Sequence, residues 1–143
     1  MKIKIINGPN LNKLHLRDKK LYSGYNIKQI NEMISNEFKS IEFEFVQSNS
    51  EDEIISEIHS SAESYDGIII NPAAFSHTSI AIRDAIEICK IPVVEVHLSN
   101  LSARENFRHT MITASKSLGY ISGFSQNGYL IAVYALLKII TEK

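Results

Sequence analysis

Three loops of this chain carry side chains that could move protons. The first holds Arg17 and Tyr22, the second Asn71 and His77, the third His97, Ser99, Arg104 and Arg108. A tyrosine is a poor base at neutral pH until neighbouring cations hold its phenolate, which guanidinium groups do well. A histidine next to a buried strand is held rigidly while its ring still reaches solvent, which suits a general acid. His97, directly after Val93-Val94-Glu95-Val96, has that setting. Each residue also has a plainer reading. His97 could simply hydrogen-bond a loop, and from spacing alone Tyr22 reads as a loop anchor packed on the surface. The polar side of the stretch at 80–89, with Arg83, Asp84 and Glu87, reads first as a solvated helix face, and otherwise as a place where Asp84 serves a neighbouring subunit. Cys89 reads as a small core residue. His15, His59 and His109 have no evident partner and read as surface residues.

For these loops to act together, the elements between them must bring them to one place. Residues 2–6 are apolar enough for a first strand, stopped by Asn7-Gly8-Pro9-Asn10. A long polar loop to about residue 25 follows, a length usually found in functional or mobile segments. Asn26 can cap a helix over 27–38 with Ile27, Ile30, Met33, Ile34 and Phe38 on one face. Residues 41–47 alternate apolar with acidic, so this strand belongs at a sheet edge. Ser50 and Glu53 have capping-box spacing ahead of Ile54, Ile55, Ile58 and Ala62. The run at 67–70 is all β-branched after its glycine, as in a strand buried on both faces, and a helix over 80–89 follows. Residues 93–96 and 120–124 make the fourth and fifth strands. A last helix opens at Gly128 with Leu130, Val133, Leu136, Leu137 and Ile140 inward.

Strands alternating with helices, joined by right-handed crossovers, predict an α/β fold: a doubly wound five-stranded parallel sheet of flavodoxin-like order 2-1-3-4-5, as a single domain over 1–143. In that order the loops after strands one, three and four leave the same edge, where ligands of such sheets bind.

Bulk composition narrows the chemistry. The chain has 143 residues, 44% hydrophobic and 22% charged, with a formal net charge of -1. That balance gives no support for nucleic-acid or acidic-membrane partners, so an anion would need a local site. A lone cysteine allows no internal disulfide and suits a reducing cytoplasm. Neither terminus reads as a signal peptide or a span. There is no Gly-x-x-x-x-Gly-Lys phosphate loop, no Gly-x-Gly-x-x-Gly fingerprint and no Cys/His set with zinc spacing. Asn7 at the first strand exit, in place of an acidic pair, sets aside a phospho-acceptor receiver. A non-catalytic module that binds a flavin or nucleotide, or works through assembly, remains the alternative to an enzyme; lack of a phosphate loop argues against it.

The motifs then become specific. Asn7-Gly8-Pro9-Asn10-Leu11-Asn12, Gln47-Ser48-Asn49, the run from Ile70 to Ser79, Arg83-Asp84, Glu95-Val96-His97-Leu98-Ser99-Asn100 and Arg104 to Arg108 resemble type II 3-dehydroquinate dehydratase, in family order and over nearly the whole chain. The resemblance implies a flavodoxin-like lyase that removes water from 3-dehydroquinate through an enolate, giving 3-dehydroshikimate in the shikimate route to aromatic amino acids. It implies no cofactor, no metal and no lysine imine. It assigns Tyr22 as the base, Arg17 as its activator with Arg104 nearby, Asn12 as the holder of a water that helps the enolate, and His97 as the general acid. Substrate would be bound by Asn71, His77, Arg108 and the main-chain N–H groups of Leu98 and Ser99. Asp84 would reach the site of an adjacent subunit in a dodecamer built from trimers. The chain departs from the family pattern mainly in the first loop, where Lys13, His15, Lys19 and Ser23 stand in place of Leu, Gly, Pro and Gly. These exchanges alter the backbone freedom of a loop that must close. Asp52 also replaces a usual glycine.

Overall fold

The computed structural model describes residues 1–142. Its order is β1 (Lys2–Asn7), α1 (Ile27–Glu37), β2 (Glu42–Gln47), α2 (Glu51–Ser61), β3 (Gly67–Asn71), α3 (Ile80–Ile88), β4 (Val93–His97), β5 (Gly119–Ser122) and α4 (Asn127–Thr141). The strands form one parallel sheet, β2-β1-β3-β4-β5, which is the expected order. β2 lies at an edge with half-buried Phe43 and Phe45 between exposed acids, as its alternation implied.

The sheet is buried on both faces. On one, Ile3, Ile5, Ile69, Val94 and Val96 pack with Ile30 and Ile34 of α1 and Tyr129, Val133 and Leu136 of α4. On the other, Ile6, Ile68, Ile70 and Val93 pack with Ile54 and Ile58 of α2 and Ile82, Ala85 and Ile86 of α3. Burying such a side chain stabilises by about 1.5–3 kcal/mol, so the central strands are apolar on both sides. Asn26 caps α1 as expected, and Gln29 completes a reciprocal box with it; at α2 only half of the expected box forms, Ser50 accepting from Glu53 N while the Glu53 carboxylate takes Ser48 Oγ, and Ser79 caps α3. Among the described residues, no helix is long and apolar enough to cross a membrane.

The differences sit at element ends, where side chains override pattern. β3 runs on to Asn71 and β4 to His97, so both residues are held by the sheet and not by the loops after it. β5 stops at Ser122, because Gly123, Phe124 and Ser125 take φ of 91°, 64° and 53°. In α4 the deepest residues are Gly128, Tyr129, Ala132, Val133 and Leu136, while Leu130, Leu137 and Ile140 are only partly buried. Cys89 is likewise half-buried, at the rim of its cluster. His109 is exposed, yet its Nε2 lies 3.1 Å from the Arg104 carbonyl, so it does have a partner.

Tyr129 explains why α4 is rotated so. Its hydroxyl donates to Asn7 Oδ1 at 2.5 Å and accepts from Asn71 Nδ2 at 3.1 Å. The network ties α4 to the ends of β1 and β3, whose Asn7 and Asn71 are in register. Burial pushes the Tyr129 phenol well above its usual range, so it stays a neutral donor, although the Asn71 bond acts the other way. Tyr129→Phe strands two buried amide groups and should destabilise the fold by about 1–3 kcal/mol in urea denaturation. A loss under about 0.5 kcal/mol would show that the network is not holding these strand ends.

Candidate active site

The carboxyl edge of the sheet carries a cleft lined by Arg17, Tyr22, Asn71, His77, His97, Leu98, Ser99, Arg104 and Arg108. Pro9, Asn10, Leu11, Ala73, Ala74 and Leu101 complete its wall. The structure thus gathers nine of the expected residues. Asn12 and Asp84 do not line the cleft. Asn12 is exposed in the 3-10 turn Leu11–Leu16. Asp84 is exposed on α3, held by Arg83 Nη1 at 2.5 Å, which also meets Glu87 at 2.8 Å.

Tyr22 is placed by cations. Its hydroxyl oxygen accepts from Arg17 Nη2 and, at 2.7 Å, from Arg104 Nη1. The two guanidinium carbons lie 4.2 and 5.0 Å from its ring centroid. Two cationic donors on one phenol oxygen form the surroundings in which negative charge there is stabilised. Arg104 is held by Ser99 Oγ at 3.1 Å, and its side chain is only 6% exposed. Its Nε has no partner among the described residues, so a buried cation in the wall keeps one donor unused. Both features favour an anionic guest.

His97 is placed by a carboxylate. Glu95, on the same face of β4 two residues earlier, is fully buried and its Oε1 lies 2.7 Å from His97 Nε2. Ser76 donates to Oε1 at 2.6 Å and Thr113 to Oε2 at 2.7 Å. A buried carboxylate needs such donors. With Nε2–H donated to Glu95, Nδ1 is the nitrogen left to exchange a proton in the cleft. From the sequence, Ser76 falls at this edge and Glu95 within a family motif, but neither is given a role, and Thr113 is not singled out. The signal was available: an acid inside an otherwise apolar two-face strand, in phase with a histidine.

His77 faces His97 with ring centroids 6.2 Å apart. Its Nδ1 lies 2.8 Å from the Thr110 carbonyl, which can only accept, so Nδ1 carries the proton and Nε2 is an acceptor. Burial lowers the His77 pKa from 6.5, with the His97 and Arg108 charges acting the same way and the Thr110 bond opposing. At neutral pH it is a neutral ring that can receive a hydroxyl group. Asn71 is fixed by Tyr129 and by accepting from Ala73 N at 3.1 Å. Arg108 is turned by Glu105 at 2.5 Å, whose carboxyl is held below its usual range by that bond.

A doubly wound sheet with a guanidinium-held tyrosine and a carboxylate-held histidine in one cleft at its carboxyl edge defines a flavodoxin-like protein equipped for acid–base chemistry. The comparisons narrow that class. The family model for dehydroquinase class II matches residues 1–137. A 3-dehydroquinate dehydratase of Clostridium perfringens (strain SM101 / Type A) is 50% identical over the whole of both chains. One of Aliarcobacter butzleri (strain RM4018) is 47% identical over 99% of this chain and 88% of its own. The crystal structure of a type II dehydroquinase from Butyrivibrio crossotus superposes with a TM-score of 0.92 at 44% identity, over 96% of this chain and 97% of that one. The chain belongs to the class II dehydroquinase family.

Proposed function

We propose that this protein is a lyase that converts 3-dehydroquinate to 3-dehydroshikimate, within the shikimate route to aromatic amino acids. The observation that carries the reading is the pairing in one cleft of Tyr22, held by Arg17 and Arg104, with His97, held by Glu95. The Tyr22 oxygen takes the proton from the carbon beside the ketone, and the C–H electrons become the enolate. The enolate then expels the hydroxyl on the neighbouring carbon, which leaves as water with the proton from His97 Nδ1. Tyr22 and His97 regain their starting states by exchange with solvent once product leaves. No redox change occurs, and the conjugated ketone that forms is the driving feature of the second step.

Substrate is held by its polar groups. Arg108 and the main-chain N–H groups of Leu98 and Ser99 take the carboxylate, while Asn71 and His77 Nε2 meet ring hydroxyls. Asn12 is assigned the enolate water by family resemblance, from the turn whose Leu11 lines the cleft. Asp84 serves a neighbouring site in a homo-oligomer, a dodecamer of trimers, which accounts for a charged residue on α3 outside its own cleft. We assign the cytoplasm, where a protein with a single cysteine and no disulfide is at home.

The test is the growth of enone absorbance when pure protein meets 3-dehydroquinate. Turnover should be unaffected by chelators and by borohydride. A folded preparation with no turnover would refute the assignment.

A further inference from the structure

We propose that the turn over residues 123–126 is a clamp that fixes the tyrosine loop against the histidine strand, with Ser125 and Ser23 as positioning residues. The inference rests on the reading of Tyr22 as base. Its first support is backbone conformation. Gly123, Phe124 and Ser125 are consecutive in the left-handed region, and two of them carry side chains that disfavour it. Phe124 is 68% exposed, so burial of its ring does not compensate for the strain. Such strain persists where other contacts over-determine it, often at functional sites.

The contacts here run in two directions. Toward β4, Gly123 N donates to His97 O at 3.2 Å and Ser99 O at 2.9 Å, and Ser125 N donates to Leu98 O at 3.1 Å. The turn is therefore fastened to the segment that carries the acid. Toward the first loop, Ser125 Oγ donates to the Tyr22 carbonyl at 2.6 Å. Ser23 Oγ donates to Gln126 Oε1 at 2.9 Å, and Tyr25 N closes onto Ser23 Oγ at 3.0 Å. Gln126 Oε1, 2.7 Å from Ser125 Oγ, is a second acceptor within reach of the same hydroxyl proton.

A simple link from β5 to α4 needs none of the bonds to residues 22 and 23. Beyond local turns, the hydrogen bonds that residues 18–26 make among the described residues go to Arg17, Arg104, Ser125 and Gln126. The arginine bonds hold only the phenol oxygen. The backbone of the loop is held by the clamp, and Ser23 is buried for that reason. Base and acid are thereby set relative to each other through the turn, outside the cleft.

The test is Ser125→Gly, which removes the hydroxyl while glycine takes the left-handed backbone without strain. Ser23→Gly breaks the second bond separately. Ser125→Gly should leave the melting temperature of the full-length protein at or above its original value within error, while Ser23→Gly, at a position with no left-handed strain to relieve, should lower it by a few degrees. Each should speed native-state trypsin cleavage after Lys19 and Lys20 by about 5- to 10-fold, the worth of one net hydrogen bond. kcat should fall by a similar factor, with KM changing less. Unchanged cleavage in both variants would overturn the clamp, as would faster cleavage with unchanged kcat. Cleavage reads the clamp whether or not dehydroquinate turns over, so absent turnover would count against the function above and leave the clamp to be decided by cleavage.

Discussion

Tyr22→Phe is expected to lower kcat by about 10²- to 10⁴-fold, the usual worth of a positioned proton-transfer group. That range is about 3–5 kcal/mol of barrier. Phenylalanine keeps the ring packed on the core cluster and beneath the Arg17 and Arg104 guanidinium groups. What it removes is the oxygen on which both cations converge. The loss should therefore fall on kcat, with KM moving by a few-fold and the folded structure kept. Arg17 and Arg104 each lose an acceptor, which adds a small stability cost tempered by solvent at this half-buried position. Steady-state kinetics with a circular-dichroism melt decide the matter. A variant with kcat within about 3-fold of the original would remove Tyr22 from the role of base.

Glu95→Gln is the second large effect, and it acts at a distance from substrate. The carboxylate accepts three bonds, from His97, Ser76 and Thr113. An amide of the same shape has one oxygen and one NH2, so it accepts fewer bonds and a hydroxyl of Ser76 or Thr113 must turn to accept from the NH2. The acceptor that orients the His97 ring and holds its tautomer is also weakened. We expect kcat to fall by about 10²- to 10³-fold with KM nearly unchanged, because general-acid catalysis depends on orientation as well as on presence. Replacing bonds to a buried carboxylate with weaker ones to an amide should lower stability by about 1–3 kcal/mol. Retention of full kcat would mean that His97 needs no orienting carboxylate. Loss of substrate affinity with kcat intact would place Glu95 in binding.

These outcomes depend on features of unequal legibility. The sheet order was readable because each central strand is a continuous apolar run and β2 alternates, a contrast that follows from burial on two faces or one. The cleft's position followed from that order, since parallel strands send their exits to one edge. The ends of elements were not readable. Asn71 and His97 look like loop residues by type, yet the ladder carries both, because side-chain networks behind them satisfy their polar groups. Asn12, in the loop after β1, and Asp84, on the polar side of α3, were given their roles by family pattern, and within one chain neither lines the cleft.

The sequence by itself determined which residues are available for proton transfer and that they must meet at the carboxyl edge of a flavodoxin-like sheet. Both follow from local pattern and chain topology. Only the tertiary structure decided how they are held: two guanidinium groups on Tyr22, one buried carboxylate behind His97, and a left-handed turn that ties their loops. Those arrangements join residues from 2 to 103 positions apart, most of them far apart in the chain. Hydrogen-bond geometry between such distant groups is set by how the layers pack, and the periodicity of a sequence carries no record of it.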